Sequence, residues 1–334
     1  MFKKAKLFFL LAETPLHPGS GGDSTGIVDL PIQRERYTNF PKIEASSLKG
    51  SLREAFSFAN KEIQINGQKI RPLDKVNNED KENNEEYLSL VFGPENSDES
   101  YASAISFLDA RILLFPVKSL KGIFAWVTCP MVLERFIEDL KFMEFSQEEL
   151  KNHGFMMENL SSLENTVPES SNLLINNNVV ILEEYTFHVK ENPNTKKIAE
   201  FIAQNIFKEN EHSFWKEKLK KDLIILSDDD FEQFVTNSTE IITRTKIDDK
   251  TGTVETGALW TEEYLPQETI FYSIAFSSPI RSENKGLLAG NNNNTDEEAE
   301  KVMSFFEGGL PKVIQIGGNQ TLGKGIVRIQ ILQK

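Results

Sequence analysis

Both ends of the chain carry the same unit, a strand, a helix and a second strand, and this repetition restricts the folds open to it. Residues 3–12 read as a strand rich in Leu and Phe. Ser46 and Ser47 are placed to cap a helix running to about residue 60, with Leu48, Leu52, Ala55 and Phe56 at helical spacing. At the other end, a helix over 296–307 leads to a strand at 311–316, a glycine-rich loop and a strand at 325–332. Two such units predict an α+β fold with helices laid on a mostly antiparallel sheet.

The middle of the chain adds to this frame. Residues 13–45 form a long loop punctuated by Pro, Gly and Ser, and loops of that length are usually functional or disordered. Residues 74–100 are polar and expected to be mobile. Strands are predicted at 104–115, 121–129, 179–189 and 269–277, and helices at 131–143, 196–220 and 228–236, the last capped by Asp228, Asp229 and Asp230. Residues 240–256 alternate and then break at Asp249-Lys250-Thr251-Gly252, the pattern of a hairpin turning near Gly252. Residues 282–295, with their Asn tract, read as a solvated loop, and no tandem repeat is present.

With 334 residues, 39% hydrophobic and 26% charged, the chain can bury a sizeable core and reads as soluble and globular. No apolar run approaches the ~20 residues of a membrane span, and the short run before Glu13 supports neither a signal peptide nor an anchor. The one cysteine, Cys129, excludes an internal disulfide and a multi-cysteine zinc site, and fits a reducing cytoplasm. A formal charge of −14 speaks against nucleic-acid binding. The charge is uneven, however. Residues 74–100 hold nine acidic side chains against Lys75 and Lys81. Residues 29–53 hold Arg34, Arg36, Lys42, Lys49 and Arg53 against three acids.

Two stretches combine chemistry-bearing residues. The first is His17-Pro18-Gly19-Ser20-Gly21-Gly22, followed by Asp29 and Arg34-Glu35-Arg36; the second is Ser46-Ser47-Leu48-Lys49-Gly50-Ser51-Leu52-Arg53. Glycine lets backbone N–H groups approach phosphate, and a helix N-terminus adds its positive end. Lys49 and Arg53 stand at i and i+4 and share a face. Asp29 is either a turn former or a functional carboxylate; His17 is either a turn residue or a general acid or phosphate contact. Arg244 and Lys246 share one strand face, suited to tracking a backbone or to plain solvation. Trp260 suits base stacking or burial equally. Gly317, Gly318, Gly323 and Gly325 form a loop that is not a nucleotide-binding P-loop, because Lys324 is followed by Gly325. Its amides, with Lys324, suit contact with RNA phosphate.

The run G-S-G-G-D-x-x-G-I-V-D-L-P-I-Q-R-E-R, followed by F-P-K-I-x-x-S-S-L-K-G-S-L-R, resembles the N-terminal signature of the RAMP superfamily. More narrowly, it resembles the repeated backbone subunits of type III-B CRISPR (Cmr) RNA-targeting complexes. Residues 316–325 are similar to the superfamily's glycine-rich loop, and residues 252–266 to the hairpin, or thumb, that these subunits push into a guide–target duplex. The resemblance implies a modified RRM/ferredoxin-like core in one domain over 1–334, with a polar insertion at about 61–101 and a thumb at about 240–266. It implies that copies stack helically along crRNA beside other Cmr subunits, bind single-stranded target RNA and cleave it at regular intervals. It further implies that Asp29 is the residue needed for cleavage, through a divalent metal ion, Mg2+ or Mn2+. His17, Glu262 and Tyr264 are then auxiliary catalytic candidates. The RNA contacts implied are Arg34, Arg36, Ser46, Ser47, Lys49, Arg53, Arg244, Lys246, Gly317, Gly318, Gly323 and Lys324. Three rivals stand beside this reading: a non-catalytic backbone subunit, a RAMP endoribonuclease that processes guide RNA, and a glycine-loop small-molecule binder.

Overall fold

The apolar run of the first strand, Lys4–Ala12, is buried from Leu7 onward because strands flank it on both sides. Leu10 stands opposite Phe271 of strand Ile270–Ser277 on one side and Ile329 of strand Ile326–Ile331 on the other. A near-continuous hydrophobic run is what a central strand needs when both of its faces are covered. The computed structural model describes residues 2–22, 26–76, 86–95, 101–155, 157–176, 178–208 and 212–333.

Four strands form the heart of the sheet, in the order Ala110–Lys118, Ile270–Ser277, Lys4–Ala12, Ile326–Ile331, all pairs antiparallel. Helix Ala45–Ala59 lies in sequence between the first and second of these strands, and helix Thr295–Gly309 between the third and fourth. This is the strand order of a ferredoxin-like fold, as the two terminal units and the resemblance predict. A long insertion, 119–269, separates the second and third core strands. It extends the sheet through Phe124–Thr128, antiparallel to Ala110–Lys118, and then Leu223–Ile225, which runs parallel. The insertion ends in a hairpin, Glu240–Ile247 with Val254–Tyr264, that forms a two-stranded sheet of its own.

The helices sit where the apolar spacing aims them. Leu48, Leu52 and Phe56 are fully buried along one face of helix Ala45–Ala59. The Phe56 ring lies 5.1 Å from Phe92 and 6.0 Å from Phe306, and Phe306 lies 5.8 Å from Phe8 on the central strand. The two helices approach closely because helix Thr295–Gly309 ends in glycine: a Cβ on Gly309 would stand 2.5 Å from the Phe56 ring.

Several local expectations are corrected. Ser46 and Ser47 do not cap the first helix; the cap position is Glu44, and the Asp109 carboxylate accepts from the Ala45 amide at 2.9 Å. The cap of helix Asp228–Asn237 is Ser227, whose hydroxyl accepts from the Asp230 amide, and the Asp cluster occupies the first turn. The strand expected at 179–189 is a tight hairpin, Val179–Leu182 with Tyr185–His188, because Glu183 takes a positive φ of 49°. The helix expected at 196–220 is two, Pro193–Ile206 and Ser213–Lys221. Within 74–100, residues 77–85 and 96–100 lie outside the described residues. Tyr87–Phe92, expected to be polar and mobile, is a helix with five buried side chains. Nearby, hairpin Ile63–Ile65 with Gln68–Ile70 buries Ile63, Ile65 and Ile70.

Gly309→Ala should lower stability by about 1–3 kcal/mol, because the new methyl group must displace Phe56. Gly50→Ala, on the exposed helix face with nothing within 4 Å of the new Cβ, should stabilise by roughly 0.5–1 kcal/mol. Chemical denaturation of the two variants checks the contrast.

Candidate functional site

Strand Val254–Tyr264 is the return arm of the hairpin, and its root is buried at Glu262, Glu263 and Tyr264. Side chains alternate along a strand. Trp260, Glu262 and Tyr264 therefore share one face, and Thr261 and Glu263 the other. Each face holds a different distant segment in place.

On the first face, both oxygens of Glu262 are occupied. Trp260 Nε1 donates to Oε1 at 2.9 Å. Arg244 Nε at 3.2 Å, Asn319 Nδ2 at 3.0 Å and the Tyr264 hydroxyl all donate to Oε2. Asn319 also donates to the Tyr264 hydroxyl at 2.6 Å, from a left-handed position (φ 65°) in the glycine loop. Burial pushes the Glu262 carboxyl up, but the bonds from Tyr264, Trp260 and Arg244 outweigh it and hold the group below its ordinary value. Burial, then the Glu262 carboxylate, raise the Tyr264 phenol, so it acts as a neutral donor. Lys324 Nζ lies 5.1 Å from the Tyr264 ring centroid.

His17 is buried behind this network. Its ring is 5.4 Å from that of Tyr264, and its Nδ1 is 2.6 Å from the Glu263 carbonyl, which as an acceptor requires the proton on Nδ1. Gly318 N–H donates to the His17 carbonyl at 3.0 Å, and a Cβ on Gly317 (φ 80°) would stand 2.1 Å from that oxygen. Only glycine allows this approach. The amides of Gly318, Gly323 and Lys324 are all bonded within the protein, to His17, Gln320 and Asn319. The loop thus does not present the open row of amides that the sequence suggested; its bonds lock it against His17.

On the second face, Thr261 and Glu263 hold the 27–36 loop. The exposed Asp29 carboxylate accepts through Oδ2 from Thr261 N–H at 2.8 Å and from the Thr261 hydroxyl at 2.9 Å, and Asp29 N–H donates back to that hydroxyl at 3.0 Å. Leu30 N–H donates to the Thr261 carbonyl, and Glu263 N–H to the Leu30 carbonyl, both at 3.0 Å, so the loop runs as a short parallel partner of the hairpin. The backbone bond from Thr261, then its hydroxyl, hold the Asp29 carboxyl below the ordinary value of 3.8. Glu263 accepts from Ile32 N–H at 3.1 Å, Thr239 at 2.9 Å and Arg34 at 2.5 Å. Arg34 also donates to the carbonyls of Asn39 and Val235.

The other expected RNA contacts are dispersed. Arg34 is a structural tie, its guanidinium spent on Glu263 and two carbonyls. Arg36 is exposed and has no ion pair among the described residues. Ser47 accepts from Gln33, which also binds the Gly19 carbonyl, while Ser46 is exposed. Lys49 donates to Ser103, and Arg53 to Glu95 and the Gly93 carbonyl, so both hold the 93–103 segment. Burial, then the charge of Arg53, lower the Lys49 amine. Arg244 serves Glu262, whereas Lys246 lies out on the hairpin paired with Glu255 at 2.6 Å. The sequence reading gave Thr261, Glu263 and Asn319 no role. The two-residue period of the strand was the available signal for the first two; Asn319 carried none.

Among the described residues, no three His, Cys, Asp or Glu side chains converge as a metal cage. Of the three carboxylates Asp29, Glu262 and Glu263, Asp29 is the exposed one, its Oδ1 without a partner among the described residues, while Glu262 and Glu263 are saturated. This fits a hard cation that takes one protein carboxylate and fills its shell with water and phosphate oxygens.

A ferredoxin-like core, a long hairpin rooted on it and a glycine loop locked against that root define a RAMP architecture. The RAMP superfamily sequence profile matches residues 9–328, and the chain belongs to that superfamily. It is similar to the CRISPR system Cmr endoribonuclease Cmr4 of Pyrococcus furiosus, 38% identical over 333 residues, which cover 98% of this chain and 96% of that protein. The crystal structure of oligomeric Cmr4 from the same organism superposes with a TM-score of 0.64 at 30% identity, covering 99% of this chain and 98% of that one. The cryo-EM structure of the type III-B Cmr-beta complex bound to cognate target RNA contains a chain with the same fold, at a TM-score of 0.69 and 24% identity, covering 99% and 98%.

Arg34→Ala leaves the buried Glu263 carboxylate without its cation and should cost about 3 kcal/mol. Arg36→Ala, two residues on, should change stability by less than about 0.5 kcal/mol. Denaturation midpoints of the two variants separate a tie from a free surface cation.

Proposed function

We propose that this chain is the repeating backbone subunit of a type III-B CRISPR ribonucleoprotein, and that it cuts target RNA held in that assembly. Copies stack head to tail along crRNA beside other Cmr subunits, a heterologous arrangement that extends as a filament. Guide pairing reads the sequence, so the protein need hold only the backbone and shape of the duplex. The names of the full-length relatives support this reading, and one observation carries the catalytic part. Asp29 is an exposed carboxylate held in a fixed pose at the root of the hairpin, with one oxygen that has no partner among the described residues.

The chemistry is transesterification. The ribose 2′-oxygen forms a bond to phosphorus, the bond from phosphorus to the 5′-oxygen breaks, and the proton ends on that 5′-oxygen. A 2′,3′-cyclic phosphate and a 5′-hydroxyl result. Asp29 is a poor general base, since Thr261 depresses its carboxyl further. Its persistent negative charge suits it to hold a divalent cation, which when bound would neutralise charge gathering on the phosphate. The rest of the site positions. Arg244 and Tyr264 keep Glu262 fixed, the glycine loop keeps His17 in place, and exposed Arg36 together with Lys324 beside the Tyr264 ring are the cations offered to phosphate.

Asp29→Asn keeps size and removes the charge. Guide and target binding should persist in the assembled complex, while cleavage falls by at least about a hundredfold. EDTA should do the same to the unmutated complex. Single-turnover cleavage measured beside a binding assay tests this; a variant that binds and cuts at the native rate moves the site elsewhere, and one that no longer assembles makes Asp29 structural. Deleting residues 247–254 should leave the core folded and abolish evenly spaced products, which a product ladder on gel reads directly.

A further inference from the structure

We propose that Thr261 is the residue that positions Asp29, and that through it the place of the cut is fixed to the hairpin. The inference rests on the reading of Asp29 as the cleaving carboxylate. Asp29 lies in a loop whose neighbour Ile27 is 99% exposed, so packing of its own surroundings does little to hold it. What holds it is one residue of another element. Thr261 engages it three times, through its amide and hydroxyl to Oδ2 and through its hydroxyl oxygen from the Asp29 amide. The first and second bonds fix the rotamer of the carboxylate; the third closes a ring that fixes the backbone beneath it. The backbone bonds of Leu30 to Thr261 and Glu263 then carry the whole loop with the strand.

The neighbours on both sides of Thr261 are committed elsewhere. Trp260 and Glu262 face the Arg244 and Asn319 network, and Glu263 is consumed by Arg34, Thr239 and Ile32. Among the described residues, the Thr261 hydroxyl is thus bonded to Asp29 alone. Because it belongs to the hairpin's return strand, the hairpin and the carboxylate move as one body. A hairpin that spreads the duplex at a given step would then present Asp29 at a fixed offset from that step. A valine here keeps the strand's shape but has neither donor nor acceptor, while serine keeps both.

The test compares Thr261→Val, Thr261→Ser and Asp29→Asn in the full assembled complex with guide and target RNA. Thr261→Val should bind both RNAs as the native chain does, cut roughly ten- to a hundredfold more slowly, and scatter its product ends over neighbouring phosphodiesters. Thr261→Ser should restore rate and product ends. A Thr261→Val variant with native rate and native ends overturns the proposal, as does a Thr261→Ser variant as impaired as the valine, since the hydroxyl would then not be the cause. If Asp29→Asn itself cuts normally, the assignment of Asp29 fails, and that result is independent of what the threonine variants show.

Discussion

The two-residue period of one strand organises the site. Five successive residues, Trp260 to Tyr264, present side chains alternately to opposite faces, and each face clamps a segment from a distant part of the sequence. Tyr264 and Glu262 gather Arg244 from the facing hairpin arm and Asn319 from the C-terminal loop. Thr261 and Glu263 gather Asp29, Ile32 and Arg34 from the N-terminal loop. A slip of one residue in register would exchange the faces and unpair both sets at once. Buried carboxylates make that slip costly, since Glu262 and Glu263 are tolerable in the interior only with their donors in place. The hairpin is therefore fixed at its root, while its outer part carries exposed Ile247, Val254 and Leu259.

Legibility from sequence divided along the same physical line. The core strands and the two core helices were readable because their apolar spacing is long and regular, as in Leu48, Leu52 and Phe56. Caps were read less well. Ser46 and Ser47 have the right chemistry for a cap, yet Asp109, sixty residues away, does the work, and nothing local announces such a partner. The resemblance located Asp29, His17 and the hairpin, but not what surrounds them. That Arg34 ties the loop to the hairpin depends on Glu263 across the fold, a pairing that no linear spacing encodes. The glycine loop is ambiguous in sequence for a related reason. Its glycines are present because His17 and Ile316 backbone atoms come within about 2 Å of where a Cβ would be at Gly317 and Gly325. Close approach to protein and close approach to phosphate select the same residue.

The acidic character of the chain also becomes intelligible at this level. A formal charge of −14 would repel RNA if the cations near the site were few and the acids free. Instead the acids at the hairpin root are neutralised internally, Glu262 by Arg244 and Glu263 by Arg34. The same pairing removes two arginines from those available to phosphate. Beside the root, Lys324 lies 5.1 Å from the Tyr264 ring centroid, and Arg36 is exposed on the N-terminal loop. In the proposed stack along one guide, tethering the next copy to the same RNA would convert its binding into an intramolecular event.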